Sequence, residues 1–148
     1  MLTRTLCGLV LVAATVFVHV AGLILSLKLL SRVNTVSSTR FWHISWLLIQ
    51  IAWSMLFIHA AEVAVWALFY FWSGCLPTAE ASFYFSGVTY ATVGYGDLVL
   101  PQRWRLLAPV EGLTGILMCG LSTGVFFLVV SRLFSGRIDF IDSDTSTG

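Results

Sequence analysis

Apolar residues occupy this chain in three long runs, Leu6–Leu27, Ile44–Phe71 and Leu106–Leu133, separated by shorter polar stretches. Each run reaches the roughly 20 apolar residues that carry an α-helix across a bilayer. Between the second and third runs, Ser73-Gly74-Cys75-Leu76-Pro77-Thr78 is a cluster of chain breakers. Thr78 has the side chain of a helix cap, and Glu80 stands in the first turn beyond it. The pattern predicts a short helix over Ala79–Ala91 that cannot cross a membrane. Such a helix must re-enter the bilayer inside protein, because irregular backbone is not tolerated against lipid. Its C-terminal end carries negative partial charge, which favours a nearby cation.

The composition agrees with a membrane setting. Hydrophobic residues make up 58% of the chain and charged residues 10%, and the mean hydropathy is +0.92; a soluble domain of this size carries far more charge. The predicted fold class is an all-α membrane protein with three transmembrane helices and one re-entrant helix. A net charge of +1 gives no basis for binding nucleic acid, and no soluble partner can be inferred. Cys7, Cys75 and Cys119 form neither a C-x-x-C pair nor a disulfide framework; Cys75 is placed near the outer surface, where cross-linking is conceivable. There is no nucleophile–base pair, phosphate loop or metal quartet to suggest an enzyme.

Lys28, Arg32 and Arg40 lie between the first two runs, and Arg132 and Arg137 follow the third. The positive-inside rule assigns both regions to the cytoplasm. The protein is then a multi-pass protein of the plasma (inner) membrane, with its N-terminus outside and its C-terminus cytoplasmic. Arg103 and Arg105 oppose this rule and are outvoted. A cleaved signal peptide is the rival reading of the first run, since Arg4 precedes it, but the run is long for that role. Ser135–Gly148, with Asp139, Asp142 and Asp144, reads as a short polar tail, disordered at its end.

Thr92-Val93-Gly94-Tyr95-Gly96-Asp97 spells TVGYGD. A strand with all its carbonyls on one side needs backbone angles of alternating hand, and glycine adopts the left-handed half at no steric cost. Gly94 and Gly96 stand at alternate positions, as that strand requires, so Val93 and Tyr95 pack behind it. Rings of such carbonyls replace the water that potassium sheds. A lone G-x-G is a weak signal; six matching residues between a short aromatic helix and a long apolar one are specific.

On these residues, Ile44–Phe134 resembles the bacterial pore-domain potassium channels, with an outer helix, pore helix, selectivity filter and inner helix. The likeness implies a homotetramer in membrane lipid, K+ as the permeant ion and no organic cofactor. The implied ion sites are carbonyls of Thr92, Val93, Gly94 and Tyr95 with the Thr92 hydroxyl, Gly96 completing the filter. The implied organisation is an N-terminal transmembrane helix over 1–30, a cytoplasmic loop over 31–43, a pore domain over 44–134 and a tail over 135–148. The extra first helix is absent from the simplest two-span members. In the family an aromatic residue of the pore helix often bonds the acid after the filter; Tyr84 can reach Asp97, whereas Phe85 cannot. Val88 stands where some members carry a glutamate, and Ala91 where threonine is common. A less selective cation channel on the same scaffold, or a non-conducting membrane subunit or sensor, are the alternatives.

Ionisable residues within spans are functional candidates. His59 and Glu62 share one helix face, and His19 lies at similar depth in the first run. The readings are a structural hydrogen-bonded contact between helices, proton-linked gating, and a metal site, for which the ligand set falls short. Glu111 is expected at the outer start of the third span, facing Arg103 or Arg105, drawing cations, or simply solvated. Among Gly112, Gly115, Gly120 and Gly124, small-residue packing is the general role, with Gly120 as a candidate gate hinge. Thr114, Ser122 and Thr123 are candidates to face a wet cavity. Trp42, Trp46, Trp72 and Trp104 read as interfacial anchors.

Overall fold

A computed structural model of the chain describes residues 2–33 and 41–145, with side chains over 3–29, 42 and 44–132. Arg40 and residues 146–148 lie outside the described residues, as do the side chains of Arg32, Arg137, Asp139, Asp142 and Asp144. Four helices follow one another: α1 (Leu2–Val33), α2 (Phe41–Trp72), α3 (Ala79–Tyr90) and α4 (Leu107–Thr145). Three of them are long and apolar enough to cross a membrane, over Thr3–Leu29, Ile44–Trp72 and Leu107–Arg132. Each long helix overruns the apolar run that predicts it. The polar stretch expected as a tail from Ser135 instead continues α4 to Thr145. An α-helix satisfies its own backbone whatever its side chains, so loss of apolar character does not end it.

The breaker cluster works as the sequence suggests. Gly74 takes φ +59°, and the Cys75 amide donates to the Tyr70 carbonyl at 2.9 Å while the Gly74 amide donates to that of Phe71 at 3.1 Å. This pairing is a Schellman closure, which a left-handed glycine permits. Four residues later Thr78 is extended, and its hydroxyl oxygen accepts the Ala81 amide at 3.1 Å. Capping of this kind stabilises a helix start by about 1 kcal/mol.

α1 and α2 pack antiparallel. The Trp66 indole donates to Thr15 Oγ1 at 2.9 Å, His19 meets Glu62, and Gly22 lies against Ile58. A Cβ on Gly22 would stand 2.7 Å from Ile58 Cγ1. α3 is wedged between α2 and α4, above a core of Leu11, Trp66, Tyr70, Phe85, Leu100 and Leu107. Gly8 of α1 touches Leu107 at the start of α4, so the N-terminal end of α1 and the 91–106 loop lie on the same side. Phe17, Leu25 and Phe57 are exposed, as suits side chains whose solvent is hydrocarbon.

Trp42, Trp46 and Trp72 are exposed at the ends of α2. Trp104 departs from the anchor role: it packs edge-on against Phe69, with ring centroids 5.4 Å apart. Gly112 and Gly115 support the packing role for small residues. A Cβ on Gly115 would stand 2.2 Å from the Tyr90 carbonyl oxygen, whereas Gly120 and Gly124 have nothing within 4 Å. Gly115→Ala must therefore push the end of α3 off α4, at a cost of about 1–3 kcal/mol or more. Thermal unfolding in detergent should show a lowered midpoint for Gly115→Ala and none for Gly120→Ala.

Candidate functional site

The polypeptide leaves α3 through residues that cannot continue a helix. Thr92, Gly94 and Gly96 have φ of +60°, +54° and +77°, so the left-handed conformation recurs at every second position. The two glycines meet this requirement freely. Thr92, a β-branched residue, is a genuine outlier at positive φ and must be held there by its surroundings. The amides of Val93 and Gly94 both donate to the Val88 carbonyl, at 2.9 and 3.2 Å. Across a trans peptide the N–H and the preceding C=O point oppositely. The Thr92 and Val93 carbonyls therefore face away from α3, toward the open side of the chain. Val88 contributes this carbonyl while its side chain adds no polar group behind the segment.

The expected packing of Val93 and Tyr95 behind the strand is not made within one chain: Tyr95 is 72% exposed. A groove of about 500 Å³ runs beside the segment, lined by Val88, Thr92, Tyr95, Asp97, Arg105 and Ile116 among others. Asp97 is tied back to α3, since Tyr84 Oη donates to its Oδ2 at 2.8 Å. That bond holds the Tyr84 phenol above its ordinary range, because ionising it would remove the donor.

Behind α3 lie two buried acids, one on each side. Glu111 corrects the sequence expectation. It faces neither Arg103 nor Arg105 and is not solvated, being 0% exposed. Tyr70 Oη donates to its Oε2 at 2.7 Å, and Ser86 Oγ lies 2.5 Å from its Oε1. Ser86 Oγ is also 2.9 Å from the Val63 carbonyl. A serine hydroxyl has one proton, and a backbone carbonyl can only accept. Every contact is satisfied when Ser86 donates to Val63 and a neutral Glu111 carboxyl donates to Ser86.

Glu62 has the opposite pattern. His19 Nδ1 is 2.8 Å from Oε1, and His59 Nδ1 is 2.9 Å from Oε2. Tyr90 Oη also donates to Oε2. Three donors converge on one buried carboxylate, which sets both histidines as Nδ1–H tautomers. His19, His59 and Glu62 could each offer one ligand atom, all within 4.8 Å of one another. Ligation through Nδ1 would, however, leave an N–H on His19 Nε2, which is buried without a partner, and the outer nitrogen of a metal-bound histidine ordinarily donates to an acceptor. The hydrogen-bonded reading fits better.

Ser86, Tyr70 and Tyr90 were not singled out from sequence. The available signal is Ser82, Ser86 and Tyr90 at four-residue spacing, one polar stripe on α3 and all buried. Thr114 and Ser122 are buried against the chain itself, and Thr123 is exposed. Cys75, expected near the surface, is 6% exposed, and burial pushes its thiol up while Arg103 draws it down; both observations count against cross-linking.

A family model described as an ion channel, of the two-transmembrane pore-domain type, matches residues 58–132. The match takes in His59, Glu62, all of α3, the 92–97 segment and Glu111, and leaves out all of α1 and the first part of α2. No curated protein and no solved structure matches the chain.

A neutral Glu111 has a neutral mimic. Glu111→Gln should unfold within a degree or two of the parent protein, its amide donating to Ser86 and its carbonyl accepting from Tyr70. Glu111→Ala strands both hydroxyls, at about 1–3 kcal/mol for each buried group left unsatisfied. Thermal unfolding in detergent separates the two variants.

Proposed function

Because the chain belongs to this ion-channel family, whose members conduct ions passively, we propose that it is a potassium-selective channel with Thr92–Asp97 as its filter. The observation that carries the proposal is the alternation of left-handed residues at 92, 94 and 96. With the amides of Val93 and Gly94 turned toward Val88, it supports a column of carbonyls on one side of the strand. Carbonyls of Thr92, Val93, Gly94 and Tyr95, with the Thr92 hydroxyl, replace the hydration shell of K+. Asp97, held by Tyr84, adds negative charge at the mouth, and Val88 anchors the strand from behind.

One chain supplies one column, so a ring needs several copies, and a homotetramer in the lipid bilayer is the proposed assembly. The exposed Val93 and Tyr95 and the groove beside them are the surfaces a neighbouring copy would cover. The filter side carries the start of α1, while Lys28, Arg32, Arg132 and Arg137 belong to the opposite ends of α1 and α4. The positive-inside rule then puts the N-terminus outside and the C-terminus in the cytoplasm of the plasma (inner) membrane. In α4, Gly120, free of close contacts, is the proposed hinge.

Purified protein in liposomes should pass K+ far faster than Na+. A reversal potential indifferent to the K+ gradient would favour a less selective cation pore. Absence of flux from a well-formed oligomer would favour a non-conducting subunit.

A second reading, modulation by pH, is favoured by the two histidines on Glu62. The titratable groups there are His19 from α1, His59 and Glu62 from α2, Tyr90 from α3 and, within electrostatic range, Cys119 from α4. A second proton on His59, which is in part exposed, would add positive charge beside the end of the pore helix. Open probability should change between pH 5 and 8, and Glu62→Gln should flatten that change. A parent protein with constant open probability over this range would remove the reading.

A further inference from the structure

We infer that α1 is wired to the filter, and that His19 is a positioning residue for it; the inference rests on the filter reading above. All of α1 lies outside the family match, which begins at residue 58. Yet its His19 is fully buried and reaches the same carboxylate as the last residue of the pore helix.

Docking of α1 does not by itself require a histidine. The Trp66–Thr15 hydrogen bond and the close Gly22–Ile58 contact already hold α1 against α2 on either side of it. What His19 adds is specific to Glu62. It takes Oε1 and leaves Oε2 to Tyr90 and His59. With both oxygens engaged, the carboxylate plane is fixed and Oε2 is aimed at Tyr90. Without His19, Oε1 is a buried acceptor without a donor, and the carboxylate gains by turning, which draws Oε2 off Tyr90.

Tyr90 has little room to absorb that turn. Its hydroxyl is held by Glu62 and its carbonyl abuts Gly115 of α4. Two residues later Thr92 sits at φ +60°, a conformation that persists only where surrounding structure imposes it. The Thr92 amide bonds the Thr89 carbonyl, and those of Val93 and Gly94 bond the Val88 carbonyl. The final turn of the pore helix is thus the template for the first filter residues. The relay from His19 through Glu62 to Tyr90 fixes that turn from a helix on the periphery of the chain.

The test uses the full chain in lipid nanodiscs and liposomes. His19→Phe keeps a ring and removes the donor. His19→Asn restores an amide donor close to the place of Nδ1. Thr15→Val weakens α1 docking without touching the relay. In His19→Phe the amides of Val93 and Gly94 should exchange with deuterium about tenfold faster, the effect of loosening one supporting hydrogen bond, and K+ over Na+ discrimination should fall. His19→Asn should restore both, and Thr15→Val should alter neither. Unchanged exchange in His19→Phe, or an equal change in Thr15→Val, overturns the inference. If His19→Phe does not assemble, Tyr90→Phe, alone and combined with the smaller, donor-free His19→Ala, enters the relay from the other end. Additive effects of those two changes would equally overturn it. The exchange readout stands even if the parent protein proves unselective, so failure of the filter reading is seen separately in the flux ratio.

Discussion

Unwound backbone cannot face lipid, because every N–H and C=O left without a partner costs several kcal/mol there. Residues 91–106 leave the helical ladder between two membrane-spanning helices, and the rest of the chain is arranged around that fact. α3 returns the chain into the bilayer and offers its last carbonyls to the amides that follow, with Val88 receiving two of them. α2 and α4 flank α3 and shield it. The Thr92 and Val93 carbonyls are left looking outward, toward the open side of the chain. That side is where a passing cation and neighbouring copies would complete the structure.

A short helix placed between two long ones needs more than apolar packing to fix its rotation. Here two buried acids supply the direction, one from each neighbour. Glu62 of α2 takes Tyr90, and Glu111 of α4 takes Ser86. Both tyrosine and serine lie on the same stripe of α3, one turn apart. The two acids differ in proton economy. Glu62 meets only donors and suits a carboxylate, whereas Glu111 meets a serine already committed to a carbonyl and suits a neutral acid. Burial in a low-dielectric setting makes each mismatch costly, so each network specifies one arrangement rather than merely adding adhesion.

Much of this was legible in the chain. The breakers at Ser73–Thr78 act as predicted because a left-handed glycine and a capping threonine work through local backbone geometry alone. The pairing of His59 with Glu62 follows from helical spacing, and that of His19 with Glu62 from antiparallel spans of equal depth. The contact of Tyr84 with Asp97 is implied by family likeness and is made, Tyr84 Oη donating to Asp97 Oδ2. Glu111 departs from expectation because a glutamate near a helix start ordinarily meets water; only the placement of Ser86 and Tyr70 gives it a dry alternative. Cys75 stands in the loop where the sequence puts it, but its side chain joins the core with Trp66 and Tyr70, a burial that chain position alone does not show.

The sequence by itself determined three spans, one re-entrant helix and a glycine-spaced segment beyond it, because hydrophobic length and glycine stereochemistry are local properties. It also determined which ionisable groups lie at membrane depth. Only the tertiary structure decided how α3 and α4 join these groups. Thr92 joins the two glycines at positive φ because α3 holds its end in place. Tyr90 joins the histidines because α2 and α3 cross at Glu62. These outcomes depend on the relative rotation of helices, which no single helix encodes.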